Sequence, residues 1–295
     1  MSTKKHEKRQ ARSKRPGAGK ARPSQHGKGQ KRAAHGKDKA GGQPGKKPRR
    51  HHEPSGALWL YGRHAVAAAL NNPAREVARV VAAKNAVEWL SDNAGPKALQ
   101  TIITDARPEE IDQLLPEGAV HQGLAAEVKE LPLAKLEDVC ANPAPDAPVL
   151  VLDQVTDPQN IGTIFRAAAA FGARGVIVQD RRTPPLAGAL AKAAAGAIET
   201  IPCIKVVNIA RTLETLAELG YETAGLAGEA TAPLQSLDPQ KPVALVLGAE
   251  GAGLRRLVAE RCTQLVRIPI APTMESLNVA TAAAISLYER ARVLP

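Results

Sequence analysis

Val149-Leu-Val-Leu152 runs directly into Asp153-Gln-Val-Thr-Asp157-Pro158-Gln-Asn160-Ile-Gly162-Thr-Ile-Phe-Arg166. Four consecutive large apolar residues read as a strand buried on both faces, because a strand with one wet face alternates instead. Asp157 followed by Pro158 is the pattern of an N-cap with proline at the first helical position, where its fixed φ suits the helix and its missing N–H leaves no bond unmade. Similar apolar runs recur at Val176-Ile-Val178, Val243-Ala-Leu-Val-Leu247 and Leu265-Val-Arg-Ile268, with alanine-rich helical stretches between them. Strands alternating with helices predict a parallel α/β sheet covered on both faces, with ligands held just beyond the carboxyl ends of the strands. The segments that follow these runs should therefore carry the chemistry.

Outside that region the chain changes character twice. The 295 residues hold 40 Lys or Arg against 29 Asp or Glu, a formal charge of +11. Residues 1–54 concentrate 18 of those basic side chains against three acidic ones (Glu7, Asp38, Glu53) and contain no Leu, Ile, Val or aromatic residue. Such a segment cannot bury enough apolar surface to offset its ordering entropy. We expect a disordered basic tail over 1–54, whose run from Lys4 to Arg50 lends salt-sensitive affinity for nucleic-acid phosphates. The remaining 241 residues are slightly acidic, with 22 basic against 26 acidic side chains. Residues 55–131 mix short extended and helical patterns and read as a small α/β domain: Ala65 to Leu70 helical, and Ala78 to Ala83, Leu99 to Thr104 and Leu124 to Val128 extended. Pro132, Pro143, Pro145 and Pro148 mark 132–148 as a linker, leaving 149–295 as the parallel-sheet domain.

Composition excludes other classes. No apolar run reaches the roughly 18 residues of a membrane helix, and the N-terminus lacks a secretory apolar centre. The expectation is a soluble cytoplasmic protein. Cys140, Cys203 and Cys262 stand far apart without CxxC spacing, so they read as buried thiols and no metal site is expected.

Three segments follow three of the strands. In the first, Asn160 falls in the opening turn of the capped helix and Arg166 nearly two turns later; the plainer alternative is a capped core helix with Arg166 reaching to solvent. In the second, Gly248-Ala-Glu250-Gly251-Ala-Gly253 lets backbone amides approach a ligand. Its G-x-x-G-x-G order is not the G-x-G-x-x-G of dinucleotide binding, and it stands late in the fold, so NAD is rejected. In the third, Pro269-Ile270 leads through Ser276-Leu277-Asn278-Val279 into a long alanine-rich helix that either Ser276 or Asn278 could cap.

Together these segments resemble the three motifs of the SpoU/TrmH family of RNA ribose 2′-O-methyltransferases: Asp157-Pro-x-Asn160-x-Gly162-x-x-x-Arg166, Leu247-Gly248-x-Glu250-Gly251-x-Gly253, and Ile268-Pro269 through Ser276-Leu277-Asn278-Val279. Upstream, Leu60-Tyr61-Gly62-x-His64-Ala65-Val66 and His121-Gln122-Gly123-Leu124 look like the branch that methylates a guanosine of bacterial 23S ribosomal RNA. The likeness covers about Leu58 to Val293, with Pro272 and Ala280 departing from residues frequent in the family. It implies a SPOUT-type domain with a C-terminal deep trefoil knot, a homodimer, and S-adenosylmethionine as cofactor, held by Gly248, Ile268 and Leu277 with Leu226, Gly228, Leu247 and Gly253. It also implies Arg166 as the catalytic residue, helped by Asn160, Glu250, Ser276 and Asn278, and RNA contacts from Arg63, His64, Arg166 and the tail. Within the resemblance, transfer RNA is the other substrate, and a non-catalytic RNA-binding ribosome-assembly factor is the other class of function.

Overall fold

The computed structural model describes residues 57–95 and 101–292, which lie within one compact unit spanning 52–295. The basic tail and its expected RNA contacts lie outside the described residues. The unit begins with β1 (Leu58–Tyr61), α1 (Arg63–Asn71), β2 (Val77–Ala82), α2 (Lys84–Asn93), β3 (Ile103–Asp105), α3 (Pro108–Asp112) and β4 (Leu124–Val128). These strands form a four-stranded mixed sheet in the order β1-β4-β2-β3, with β4 antiparallel to both of its neighbours and β3 parallel to β2. Helical and extended patterns read from the sequence match α1, β2 and β4 in place, while Leu99 and Gln100 of the second extended run lie outside the described residues.

A short helix, α4 (Leu136–Cys140), then leads to β5 (Val149–Asp153), α5 (Pro158–Ala170), β6 (Gly175–Gln179), α6 (Gly188–Ala194), β7 (Cys203–Val206), α7 (Ile209–Glu218), β8 (Glu222–Leu226), β9 (Ala232–Pro233), β10 (Val243–Gly248), α8 (Arg256–Arg261), β11 (Gln264–Arg267) and α9 (Val279–Arg292). The seven strands are all parallel, in the order β7-β6-β5-β10-β8-β11-β9. The expected mixed α/β fold with a parallel sheet is what the chain adopts. Its apolar runs divide by pleat. Leu150, Leu152, Val176, Val178, Leu245 and Leu247 face a core shared with α5, α6 and α9, whereas Val149, Val151, Ile177, Ala244 and Val246 pack beneath α4 and α7. Alternate residues of one continuous apolar run thus serve two layers.

Two features were not expected from sequence. The proline-rich stretch expected as a linker contains α4, whose Cys140 is fully buried with Leu136 and Val139 against the second core. Strands β7, β8 and β9 also escaped notice, β8 because Gly225 and Thr223 interrupt its apolar character. Thr223 is fully buried because its hydroxyl and backbone N–H are both matched by Thr263, at 3.0 and 3.2 Å. Gly225 is required by packing, as a Cβ there would meet Leu265, Cys262 and Leu254 within 2.9 Å.

One apolar core runs between the two sheets, including Leu60, Val66 and Val80 together with Leu190, Ala194 and Ile198. Arg75 locks this seam. Its guanidinium lies 2.7 Å from Glu199 and donates at 2.8 Å to the Lys129 carbonyl, both charged side chains being essentially inaccessible. Among the described residues no helix is long and apolar enough to cross a membrane.

Candidate active site

Beyond the carboxyl ends of β8, β10 and β11 the chain makes three loops whose residues line one cavity of about 380 Å³. The lining includes Leu226, Gly228 and Glu229 from the first loop, Leu247 to Leu254 from the second, and Ile268, Ile270, Glu275, Ser276 and Leu277 from the third. All seven residues expected at a cofactor, Leu226, Gly228, Leu247, Gly248, Gly253, Ile268 and Leu277, stand in this wall. The volume lies within the ordinary range for a small-molecule site. Leucine and isoleucine walls beside glycine-rich backbone suit a flat heterocycle, and Glu229 and Glu275 offer carboxylates to hydroxyl or ammonium groups. Gly248 is forced by the loop's closeness: a Cβ there would lie 2.1 Å from the Gly253 carbonyl carbon, and Ala249 bridges Gly253 directly.

At the mouth of these loops three of the expected catalytic side chains come together. Asp157 caps α5 by accepting from the Asn160 N–H at 2.7 Å, which fixes Asn160 in the first turn. The Asn160 side-chain amide donates to Glu250 Oε1 at 3.1 Å. Asn278 donates through Nδ2 to the same Glu250 oxygen at 2.6 Å and to Asn160 Oδ1 at 2.8 Å. Its own Oδ1 accepts from the N–H groups of Ala280 and Thr281 at 3.0 and 3.1 Å, so Asn278, rather than Ser276, caps α9. One carboxylate oxygen thereby ties together the starts of α5 and α9 and the glycine loop. Ser276 lines the cavity and is exposed, without a bond to this cluster. Arg166 lies on the exposed stripe of α5 with Gln159, Thr163 and Ala170 and has no hydrogen-bond or ion-pair partner among the described residues.

Sequence reasoning missed the anchor of the glycine loop. Asp153, at the end of β5, is fully buried and accepts from the Arg255 backbone N–H at 2.9 Å and from its Nε and Nη2 at 2.7 and 2.6 Å. Arg255 follows the glycine loop immediately, so this pair staples the loop's exit to the central sheet. An aspartate closing an apolar run was the available signal. Arg255 and Arg256 are both committed, Arg255 to Asp153 and Arg256 to Glu260 at 2.7 Å. His64 packs edge-on against Trp89 at 5.7 Å, and Arg63 lies over the same ring at 5.5 Å. His121 is structural: it accepts from the Gly123 N–H at 3.1 Å and faces Asp112 at 3.2 Å.

The thiols take no part. Burial pushes Cys140 up to about 11 and Cys203 and Cys262 up to about 12, far from the thiolate a nucleophile or metal ligand needs. Among the described residues no group of three or more His, Cys, Asp or Glu is placed to hold a metal.

Residues 147–288 match the model of the SpoU rRNA methylase family, and residues 59–134 match a model described as RNA 2′-O ribose methyltransferase substrate binding. An uncharacterized tRNA/rRNA methyltransferase of Synechocystis is 40% identical over 78% of the chain, which spans 61% of that protein's length. The 23S rRNA (guanosine-2′-O-)-methyltransferase of Pseudomonas putida is 37% identical over 79% of the chain and 95% of the relative. Among solved structures, an AdoMet-bound rRNA methyltransferase from Sinorhizobium meliloti superposes with a TM-score of 0.68 at 25% identity, over 81% of this chain and 88% of that one.

Proposed function

We infer that the chain, which belongs to the SpoU methylase family, transfers a methyl group from S-adenosylmethionine to a ribose 2′-hydroxyl, that of a guanosine in 23S ribosomal RNA. The observation that carries this reading is the convergence of Asn160, Glu250 and Asn278 at the rim of a nucleoside-sized cavity. Similarity to the Pseudomonas relative across both matched segments favours ribosomal RNA over transfer RNA. An intact Asn160–Glu250–Asn278 cluster favours an enzyme over a non-catalytic assembly factor.

The cofactor supplies an electrophilic methyl on a sulfonium. Leu226, Leu247, Ile268 and Leu277 would hold its adenine, with backbone groups of Gly228, Gly248 and Gly253 close enough to bond. The 2′-oxygen attacks the methyl carbon, the carbon–sulfur bond breaks, and the 2′-proton must leave. Arginine keeps its proton in proteins, so Arg166 does not serve as the base. In this reading Arg166 grips an RNA phosphate bidentately and stabilises developing negative charge, while that phosphate or water accepts the proton. Glu250 holds Asn160 and Asn278 in fixed orientation, and the free face of Ser276 orients the substrate. Positioning of this kind supplies much of a transfer barrier.

The finer architecture belongs to the same proposal. The C-terminal segment threads a deep trefoil knot, an exception to the rule against threaded loops; support comes from the three loops that converge on one cavity after β8, β10 and β11. Residues 149–295 carry the transfer, 55–131 contact RNA through Arg63 and His64, 132–148 join them, and the basic tail from Lys4 to Arg50 strengthens capture. The chain works as a homodimer in the cytoplasm: Ile285 and Tyr288 leave an apolar stripe exposed on α9, beside Phe171 at the end of α5. Calorimetric titration of the full chain with S-adenosylmethionine tests the cofactor site. Saturable binding that is lost in Gly248→Val is the expected result, and no binding by the wild-type chain would overturn the reading.

A further inference from the structure

We propose that the seam between the two sheets holds a phosphate of the RNA substrate, gripped by Lys192 of α6 and Arg63 of α1 with Gln122 as their spacer. The proposal rests on the RNA-methyltransferase reading above and adds a contact on the matched catalytic segment that lies away from the cavity. Gln122 Oε1 accepts from Lys192 Nζ at 2.7 Å and from the Arg63 backbone N–H at 3.2 Å, so one neutral amide spans the junction. Gln122 adopts φ +54°, a left-handed conformation that a non-glycine residue rarely takes and that is tolerated where surrounding structure enforces it for function. Gly62, at φ +90°, makes room for the lysine, since a Cβ there would lie 2.4 Å from Lys192 Nζ.

What the cluster lacks is negative charge. Partial burial pulls Lys192 below the ordinary lysine range, and among the described residues no carboxylate pairs with it. The Arg63 guanidinium lies over Trp89, with its Nε buried and without a partner. Several other described cations do find a carboxylate, even at the surface: Arg79 with Glu127, Lys129 with Glu76, Lys205 with Glu130 and Arg261 with Glu214. A partly desolvated cation without a counter-ion is costly, and Lys192, tied through Gln122 to the start of the helix that carries Arg63, forms a site for an incoming anion. The cofactor carries no phosphate, so the anion comes from the RNA backbone.

Lys192→Gln in the full chain tests this, with affinity for a 23S ribosomal RNA fragment measured between 50 and 200 mM salt. Loss of one phosphate contact lowers the slope of log affinity against log salt by about 0.7 to 0.9. The advantage of wild type over the variant therefore shrinks about threefold across that range. Arg63→Gln gives the same shift independently, which keeps the idea testable if one variant folds poorly. Weaker binding with an unchanged slope would make Lys192 a packing residue and overturn the proposal, as would unchanged affinity at every salt concentration. A wild-type chain without salt-dependent RNA affinity would instead remove the RNA reading itself, and this site with it.

Discussion

Gly162→Ala probes how tightly the first helix of the site is held. A Cβ at Gly162 would lie 2.3 Å from the Leu190 carbonyl oxygen, 2.7 Å from Ala193 Cβ and 3.0 Å from the Ala194 nitrogen. Two of these three atoms are backbone of α6 or its cap, so no side chain can rotate away, and α5 and α6 must separate by about 1 Å to restore ordinary contact. Overpacking of this kind costs about 3 kcal/mol at the upper end of its range, and alanine's better helix propensity returns about 1. The net loss is about 2 kcal/mol, which for a unit of this size lowers Tm by about 4 to 8 °C. Function should suffer more than stability. Asn160 and Arg166 flank Gly162 on the same helix, and a displacement of about 1 Å can cost about 100-fold in rate. Thermal unfolding by circular dichroism and single-turnover methyl transfer read the two effects. A melting temperature within 1 °C of wild type, together with a full rate, would refute the packing argument.

Other expectations follow from the same geometry. Arg75→Ala leaves Glu199 charged and buried at the seam, and urea denaturation should show a loss of about 3 to 5 kcal/mol, whereas Arg75→Met with Glu199→Met should lose less than the single change. Arg166→Lys keeps the charge but not the planar fork, so methyl transfer at saturating RNA should fall more than tenfold; a near-wild-type rate with unchanged RNA affinity would defeat the phosphate-gripping role. The raised thiols predict an alkaline limit: the folded state keeps Cys140, Cys203 and Cys262 protonated until about pH 11 to 12, while the unfolded chain releases those protons from about pH 9. Their contribution to stability is therefore complete below pH 9 and lost as pH rises through 11 to 12, and a thiol reagent at pH 8 should leave all three unmodified until the chain unfolds.

What the sequence revealed and what it hid have physical causes. The runs at Val149, Val176 and Val243 were readable because a strand buried on both faces needs uninterrupted apolar side chains. Asp157-Pro158 was readable because capping chemistry is local. Strand β8 was hidden because its burial is satisfied by a threonine pair and a packed glycine rather than by large side chains. The helix in the proline-rich stretch was hidden because α4 is five residues long and is held by tertiary burial of Cys140 more than by propensity. At the site, Asn160, Glu250 and Asn278 could be named singly, but their meeting on one oxygen depends on sequence separations of 90, 28 and 118 residues. The Asp153–Arg255 staple spans 102 residues, and the Gln122–Lys192 contact 70. Long-range polar pairs leave no periodic trace, so only the folded chain exposes them.

The central claim is tested most directly by incubating the full chain with S-adenosylmethionine labelled in the methyl group and separately purified 23S, 16S and transfer RNA, then digesting each RNA to nucleosides. Label recovered as 2′-O-methylguanosine from 23S RNA alone is the predicted result. Label on a base, or in transfer RNA only, would contradict the account, as would a cofactor-binding chain that labels no RNA either as naked transcript or within a ribosomal particle.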